Sequence, residues 1–174
     1  EYVCGALAAE MPLTYHTEAL KAQAVACYTY ALWIKNNADN ASKELSDLSD
    51  DPSSHQGFLD EKQLKEKWAD KYEENYEKIK QIVNSVAGQY ISYSGEPIMA
   101  VYHSISNGKT LSAKAAWGND IPYLQSVTAP GDTLSPDYLC NITLTHDEFD
   151  KKIKQEKSLN FDFNKKRRYG RKIK

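Results

Sequence analysis

The sequence is poor in the residues that build disulfide frameworks, metal centres and membrane spans. Its 174 residues include three cysteines, Cys4, Cys27 and Cys140, which are far apart and odd in number. Without a CxxC pair or a cysteine–histidine cluster, neither a disulfide framework nor a zinc site is predicted, and no cofactor is expected. Cys4 and Cys27 lie in apolar helical patterns and should be buried thiols. No run of about 20 apolar residues is present, as a membrane-spanning helix requires.

Negative charge dominates the body of the chain, and positive charge dominates its end. The net charge is −2, but residues 164–174 hold seven basic residues and no acid. Without them, 15 basic residues stand against 24 acidic ones, which gives residues 1–163 a net charge of −9. An acidic body argues against nucleic acid as a partner. The basic tail is expected to be a disordered terminus, with contact to an anionic polymer or membrane surface as the alternative.

Apolar periodicity predicts helices in the first half of the chain. A short buried helix should end before Pro12, because proline disfavours a helical conformation at the preceding residue. Apolar residues recur at three- and four-residue steps over residues 18–35, which predicts a helix capped by Thr17. The same spacing over residues 60–87 predicts one long amphipathic helix that ends at Gly88.

The second half of the chain reads as strands and short helical turns. Residues 89–93 and 97–103 flank a turn at 94–96 and predict a hairpin. We therefore expect an α+β fold in which helices pack on a mainly antiparallel sheet. The other predicted elements are a polar loop over 36–57 with a helical turn at 42–48, a turn at 113–117, strands at 123–127 and 140–144, and a helix begun by the capping-box spacing of Thr145 and Glu148.

Glu10 is the only acid in the apolar segment that runs from residue 2 to residue 12. Apolar surroundings disfavour the charged form of a carboxyl group, which suits a general acid that must carry a proton near neutral pH. The sequence therefore offers Glu10 as a candidate acid. A glutamate that is merely exposed or caps the helix end is the alternative.

A second polar segment, residues 101–110, leaves a predicted strand and enters a loop rich in hydroxyl groups and hydrogen-bond donors. Junctions between a strand and a loop commonly carry binding groups, because the sheet holds them rigidly. His103 lies at this junction, and a purely structural histidine is the alternative. A Ser–His–Asp hydrolase is conceivable from the residue types, but the chain lacks the GxSxG sequence of a nucleophile elbow.

Several segments in register resemble the stage II sporulation protein D family, and their order and spacing hold across about residues 1–160. Residues 51–56 also resemble a loop of Gram-positive members. The matching residues are Tyr2, Gly5, Glu10, Met11, Pro12, 18–26 and 29–31 in the first segment, Tyr102, His103, Ser104, Ser106, Gly108 and Thr110 in the second, and Trp117, Gly118, 122–124, 126–127 and Pro130 in the third.

The resemblance implies an extracytoplasmic lytic transglycosylase that cuts cell-wall peptidoglycan during sporulation and engulfment. Such an enzyme cleaves the β-1,4 bond between N-acetylmuramic acid and N-acetylglucosamine in denuded glycan strands, and it leaves a 1,6-anhydro-muramyl end. The implied partners are the glycan strands, a sporulation peptidoglycan amidase and a membrane protein. A membrane anchor is expected in an N-terminal segment ahead of residue 1.

The resemblance also assigns roles to residues of this chain. Glu10 is implied as the catalytic acid and base, and no metal is implied. Hydroxyl groups at loop ends often only cap backbone groups, which is the structural alternative for the serines and threonines. The implied substrate-binding residues are Lys21, Tyr28, Gln56, Tyr102, His103, Ser104, Ser106 and Thr110.

Two departures from the family pattern bear on activity. Tyr28 stands where the family usually has an arginine, so the charge and the planar hydrogen-bonding fork are lost. Family domains normally continue beyond residue 163, so a catalytic domain truncated at its C-terminus is expected over residues 1–163, followed by the tail at 164–174. Both departures favour an alternative: a non-catalytic glycan-binding or amidase-modulating module, or an inactive homologue.

Overall fold

A computed structural model describes residues 1–37, 48 and 55–155 of the chain. The predicted turn at 42–48 and the basic tail at 164–174 therefore fall outside the described residues, apart from Leu48. The described part is α+β, as expected. Its elements are α1 (Tyr2–Glu10), α2 (Thr17–Asn37), α3 (Glu61–Trp68), α4 (Tyr72–Ser85), β1 (Ser92–Tyr93), β2 (Glu96–Pro97), α5 (Ala113–Trp117) and α6 (His146–Gln155), with 3₁₀ turns at Ala69–Lys71 and Pro130–Leu134.

The hydrophobic core forms where α1, α2 and α4 meet, with α3 against α1. Five consecutive residues of α1 are buried, which is the behaviour of a helix that is apolar on every side. The helix ends where predicted, and Met11 ahead of Pro12 is extended, with φ −139° and ψ 133°. The core side chains are Cys4, Leu7, Ala8, Leu20, Ala24, Leu64, Ile79 and Ile82.

The segment over residues 55–60 crosses α1 at very short range. The Leu59 N–H donates to the Gly5 carbonyl oxygen at 3.3 Å. The rings of Tyr2 and Phe58 stack with their centroids 5.4 Å apart. A Cβ atom on Gly5 would lie 2.5 Å from the Leu59 carbonyl oxygen and 2.5 Å from the Phe58 ring. Only glycine therefore allows this approach without displacement of the crossing segment.

Two helix predictions were wrong in detail. The helix expected over 60–87 is interrupted at Ala69, where φ is 45°, so α3 and α4 are separate helices. The three-residue 3₁₀ turn leaves Leu64 of α3 and Ile79 of α4 in the same core, so the apolar spacing gives no sign of the break. The cap of α2 also differs, because His16 Nδ1 accepts from the Glu18 N–H at 3.2 Å and Thr17 is already helical.

The sheet is much smaller than the mainly antiparallel sheet that the sequence predicted. The hairpin is present, with Ser92 opposite Pro97 and Tyr93 opposite Glu96. Its turn residues, Ser94 and Gly95, both have positive φ, which matches the twist of a tight hairpin. No other ladder occurs among the described residues; Lys109 and Thr128 form an isolated bridge.

The other predicted strands do not form. The Val101 N–H donates to the Met99 carbonyl at 2.9 Å, a three-residue turn that interrupts the strand expected over 97–103. At 123–127, a serine hydroxyl and a threonine hydroxyl bond to backbone groups. Those backbone groups would otherwise form the hydrogen bonds of a ladder. Residues 140–144 form neither helix nor strand, and no strand pairs with them in the described part of the chain.

Several smaller predictions are confirmed. The helical turn Ala113–Trp117 ends at Gly118, which has φ 83°. Thr145 and Glu148 form the reciprocal bonds of a capping box at the start of α6. Cys4 and Cys27 are buried free thiols.

Of the helices that the structure describes, none combines the length and the apolar character needed to cross a membrane.

The close crossing at Gly5 predicts that a larger residue at this position destabilises the protein. Gly5→Ala should lower the free energy of unfolding by about 2 kcal/mol, because the added methyl group has to displace backbone as well as a ring. Urea denaturation followed by circular dichroism measures this change. Gly131→Ala is the matched control, since its Cβ meets no atom within 4 Å. Equal stabilities for the two variants would contradict the crossing.

Candidate active site

Glu10 is the last residue of α1, and its side chain is exposed. The burial expected from the apolar sequence around it is therefore not found. The position of its carboxylate is instead set by a hydrogen bond, because the Gly57 N–H donates to Glu10 Oε1 at 2.5 Å. A Cβ atom on Gly57 would lie 3.0 Å from that oxygen, so a side chain there would crowd the carboxylate.

Gln56, the neighbour of Gly57, is buried, with 7 % of its surface exposed. Its Nε2 donates to the Tyr2 hydroxyl at 2.8 Å and to the Cys27 carbonyl at 3.1 Å. Its Oε1 accepts from the Tyr102 hydroxyl at 3.4 Å. Gln56 was predicted as a substrate-binding residue, and the structure shows its amide fully occupied inside the protein.

The Tyr102 hydroxyl lies among three groups. They are Gln56, the carboxylate of Glu10, and the Cys27 thiol, whose sulfur is 4.0 Å away. Burial raises the pKa of Tyr102, and the nearby Cys27 and Glu10 raise it further. Burial also raises the pKa of Cys27, to about 11. The phenol and the thiol are therefore both neutral at physiological pH, and Tyr102 keeps its proton to donate.

Two further predicted residues lie on α2. Lys21 Nζ forms an ion pair with Glu18 Oε1 at 2.9 Å, one turn earlier on the same helix. Tyr28 is half-buried. Neither residue has a described contact with Glu10, so the structure leaves them as candidates for substrate contact.

The loop over residues 103–110 is held in place by hydrogen bonds with the segment that follows it. The Ser106 N–H and hydroxyl both donate to Asp132 Oδ2, at 2.8 Å and 2.5 Å. Thr110 Oγ1 accepts from the Val127 N–H at 2.9 Å. These two hydroxyl groups therefore have structural partners, whereas the side chains of His103 and Ser104 are exposed.

A groove of about 560 Å³ runs along this loop. Its lining includes four of the predicted residues, Tyr102, His103, Ser106 and Thr110, and it also includes Trp117 and Tyr123. Glu10 is not part of this lining. Tyr102 is the predicted site residue that belongs both to the groove and to the surroundings of Glu10. It lines the groove, and its hydroxyl is influenced by the charge of Glu10.

Two residues that shape the site were not predicted. Gly57 holds Glu10 through a backbone N–H, which no side-chain pattern reveals. Asp132 fixes Ser106 across 26 positions of sequence, and its only local signal is the Pro-Gly that precedes it. Among the residues that the structure describes, no group of three or more His, Cys, Asp or Glu side chains is placed to hold a metal ion.

Comparison with known families now adds to this geometry. A family model described as Stage II sporulation protein matches residues 1–93, more than half of the chain. This chain belongs to the stage II sporulation protein D family. The matched region contains Glu10, Lys21, Tyr28 and Gln56, while the loop over 103–110 lies beyond it.

Individual relatives agree with the family assignment. The chain is 42 % identical over 155 residues to Stage II sporulation protein D of Bacillus subtilis strain 168, and 41 % identical over 155 residues to that of Bacillus amyloliquefaciens. These matches cover 88 % of the chain and 45 % and 44 % of the relatives. An Amidase enhancer of Bacillus subtilis is 27 % identical over 150 residues, which cover 85 % of the chain and 17 % of that protein. The chain thus spans less than half the length of these members of the family and of the enhancer.

The Ser106–Asp132 contact predicts a pH dependence of stability. The bonds from Ser106 lower the pKa of Asp132. A lowered folded-state pKa adds stability that is present above the ordinary aspartate value of about 4 and is lost as the pH falls through the folded value. Asp132→Asn should therefore be less stable at pH 7 and should lose less stability between pH 5 and pH 2, within the range ~2–5 where aspartates titrate.

Urea denaturation at a series of pH values measures this dependence. Asp137→Asn is the control, because it removes a nearby aspartate and leaves the Ser106 contact in place. We expect the control to follow the wild-type slope below pH 5. If the stability of Asp132→Asn falls with pH as steeply as that of the wild type, the role of the Ser106–Asp132 contact is contradicted.

Proposed function

We propose that this chain is the part of a peptidoglycan lytic transglycosylase that carries the catalytic acid, Glu10. The substrate is a denuded glycan strand, and the product end is a 1,6-anhydro-N-acetylmuramic acid. The observation that supports this most is the Glu10 carboxylate itself. It is exposed at a helix end, yet it is held by the Gly57 N–H.

The reaction suits a site with a single carboxylate. Most glycoside hydrolases need two, one as acid and the other as base or nucleophile. The described hydrogen-bond partner of Glu10 is a peptide N–H and not a second carboxylate. A transglycosylase uses the C6 hydroxyl of the muramic acid as its nucleophile. The attack is then intramolecular, and positioning supplies much of the rate.

The hydrogen bond from Gly57 decides which oxygen of Glu10 carries the proton. Glu10 Oε1 accepts the Gly57 N–H, so Oε2 is the oxygen that bears the transferable proton. In the proposed cycle, Oε2–H protonates the glycosidic oxygen as the bond to the anomeric carbon breaks. The carboxylate then takes the proton from O6 as O6 bonds to that carbon, which restores the acid.

Substrate contacts are proposed along the groove and on α2. The exposed donors of His103 and Ser104 suit the carbonyl groups of N-acetyl substituents, and Lys21 suits the lactyl carboxylate of muramic acid. Trp117, which is 55 % exposed in the groove wall, offers an apolar face to a sugar ring. Tyr28 takes the position of the usual arginine without its charge.

The wider role follows from the family. We propose that the whole protein acts outside the cytoplasm in sporulation, anchored to a membrane through a segment ahead of residue 1. We further propose that it works after a sporulation amidase has removed the peptides, together with a membrane protein. The similarity to a protein named Amidase enhancer supports the link to an amidase.

The same similarity favours a second candidate function. A non-catalytic module that binds glycan and modulates an amidase would also use the groove, and it would not need Glu10. The replacement of the usual arginine by Tyr28 points the same way. The two functions differ in one product: only the transglycosylase forms anhydro-muramyl ends.

Glu10→Gln tests the proposed acid. The amide keeps an oxygen for the Gly57 N–H but has no transferable proton, so the yield of anhydro-muramyl ends should fall by at least ~100-fold. Binding of denuded strands should stay within about twofold, because the groove is unchanged. Mass spectrometry of digested strands and a pull-down with insoluble glycan measure the two quantities.

Glu77→Gln is the matched control, since it changes an exposed glutamate of α4 that pairs with Lys80. It should cleave like the wild type. Anhydro-muramyl products from Glu10→Gln at the wild-type rate would overturn the assignment of the acid. Strand binding by a wild-type chain that forms no product would favour the modulating module.

A further inference from the structure

We infer that Gln56 is a positioning residue for the proposed acid: its buried side chain fixes the backbone that directs the Gly57 N–H toward Glu10. This inference rests on the proposed function, in which the carboxyl group of Glu10 transfers the proton. It replaces the expectation that Gln56 binds the glycan. The geometry behind it consists of hydrogen bonds and a ring contact on both sides of Gly57.

The side chain of Gln56 is held inside the protein by three partners. Its Nε2 donates to the Tyr2 hydroxyl of α1 at 2.8 Å and to the Cys27 carbonyl of α2 at 3.1 Å. Its Oε1 accepts from the Tyr102 hydroxyl at 3.4 Å. Both donors of the amide are therefore in use, and its oxygen also has a partner. Because only 7 % of the residue is exposed, Gln56 is not available to a sugar.

The chain on the other side of Gly57 is fixed as well. The ring of Phe58 stacks on the ring of Tyr2, with the centroids 5.4 Å apart. Tyr2 therefore contacts the crossing segment twice, since its hydroxyl accepts from Gln56 and its ring supports Phe58. The peptide unit that joins Gln56 to Gly57 has a fixed residue before it and another after it, so its rotation is restricted.

That peptide unit carries the N–H that holds the proposed acid. The Gly57 N–H donates to Glu10 Oε1 at 2.5 Å. Because Glu10 is exposed, packing restricts its side chain little, and the direction of this N–H sets where Oε1 lies. If the peptide unit turned, Oε2 would lose its position at the glycosidic oxygen. A displacement of about 1 Å in a reacting group can slow a reaction roughly 100-fold.

A positioning role and a direct glycan contact predict different kinetics. A contact that is equally strong in the bound substrate and in the transition state affects KM when it is removed. A residue that only places the acid affects the chemical step, and hence kcat. The two roles of Gln56 are therefore separable by one substitution.

Gln56→Met tests the positioning role, because methionine has a similar length but makes none of the three hydrogen bonds. The kcat for anhydro-muramyl formation should fall about 10- to 100-fold, with KM within about twofold of the wild type. In a nuclear magnetic resonance spectrum, the Gly57 amide proton should move upfield, because it loses the carboxylate. Glu10→Ala removes the acceptor and gives the direction of that movement. A rise in KM with an unchanged kcat, or an unmoved Gly57 resonance, overturns the role.

Tyr2→Phe is a milder variant that decides the role if Gln56→Met does not fold, as circular dichroism shows. It removes one acceptor of the Gln56 amide and keeps the ring against Phe58. The kcat should fall about 3- to 10-fold, and the Gly57 resonance should move less far in the same direction, since the bond to Cys27 remains. An unchanged kcat together with an unmoved resonance contradicts the positioning role.

Two controls separate positioning from a general loss of stability. Gln81→Met makes the same substitution on the exposed face of α4, where the amide pairs with Glu77. Ile82→Val removes one carbon from the hydrophobic core, which lowers stability, and leaves the hydrogen bonds of Gln56 in place. Both controls should keep the wild-type kcat, KM and Gly57 resonance.

The Gly57 resonance also separates this inference from the proposed function. If the wild type itself forms no product, the proposed function fails. The resonance in Gln56→Met and in Tyr2→Phe then still decides whether Gln56 directs the Gly57 N–H toward Glu10.

Discussion

The crossing of residues 55–60 over α1 at Gly5 is the contact on which the rest of the site depends. The absent side chain lets the Leu59 N–H reach the Gly5 carbonyl, and it makes room for the Phe58 ring. Once the segment lies there, Gln56 is directed inward and the Gly57 N–H faces Glu10. A glycine near the start of a buried helix thus determines where a carboxylate at its other end is held.

That arrangement fixes the carboxylate of Glu10, the proposed acid, by a hydrogen bond rather than by burial. Glu10 is exposed, yet its carboxylate has a backbone donor and a neutral phenol beside it. Hydrogen bonds to a carboxylate favour its charged form, whereas the proposed reaction requires Glu10 to donate a proton.

Tyr102 joins two parts of the molecule that the fold keeps apart. The first part is the helical core with Glu10 at the end of α1. The second is the groove, whose loop is held by Asp132 through Ser106 and by the residues around Val127 through Thr110. Because Glu10 is outside the groove lining and Tyr102 is part of it, a strand bound in the groove as we propose would reach Glu10 past Tyr102. The chain spans 45 % of its Bacillus subtilis relative, and in the whole protein further residues can extend this surface.

The sequence by itself determined the features that depend on a few neighbouring residues. Pro12 ended α1, Thr145 and Glu148 formed a capping box, Ser94 and Gly95 made the hairpin turn, and the apolar stripes marked the core faces of the helices. The family followed from motifs of the same short range. Tertiary structure decided the rest: the break at Ala69, the loss of the predicted strands, the exposure of Glu10 and the inward use of Gln56. The position of Glu10 and the inward use of Gln56 depend on long-range hydrogen bonds: Gln56 donates to Tyr2 and Cys27, 54 and 29 positions away, and the Gly57 N–H holds Glu10 across 47 positions. Local spacing does not encode such contacts, because they exist only after the helices have packed.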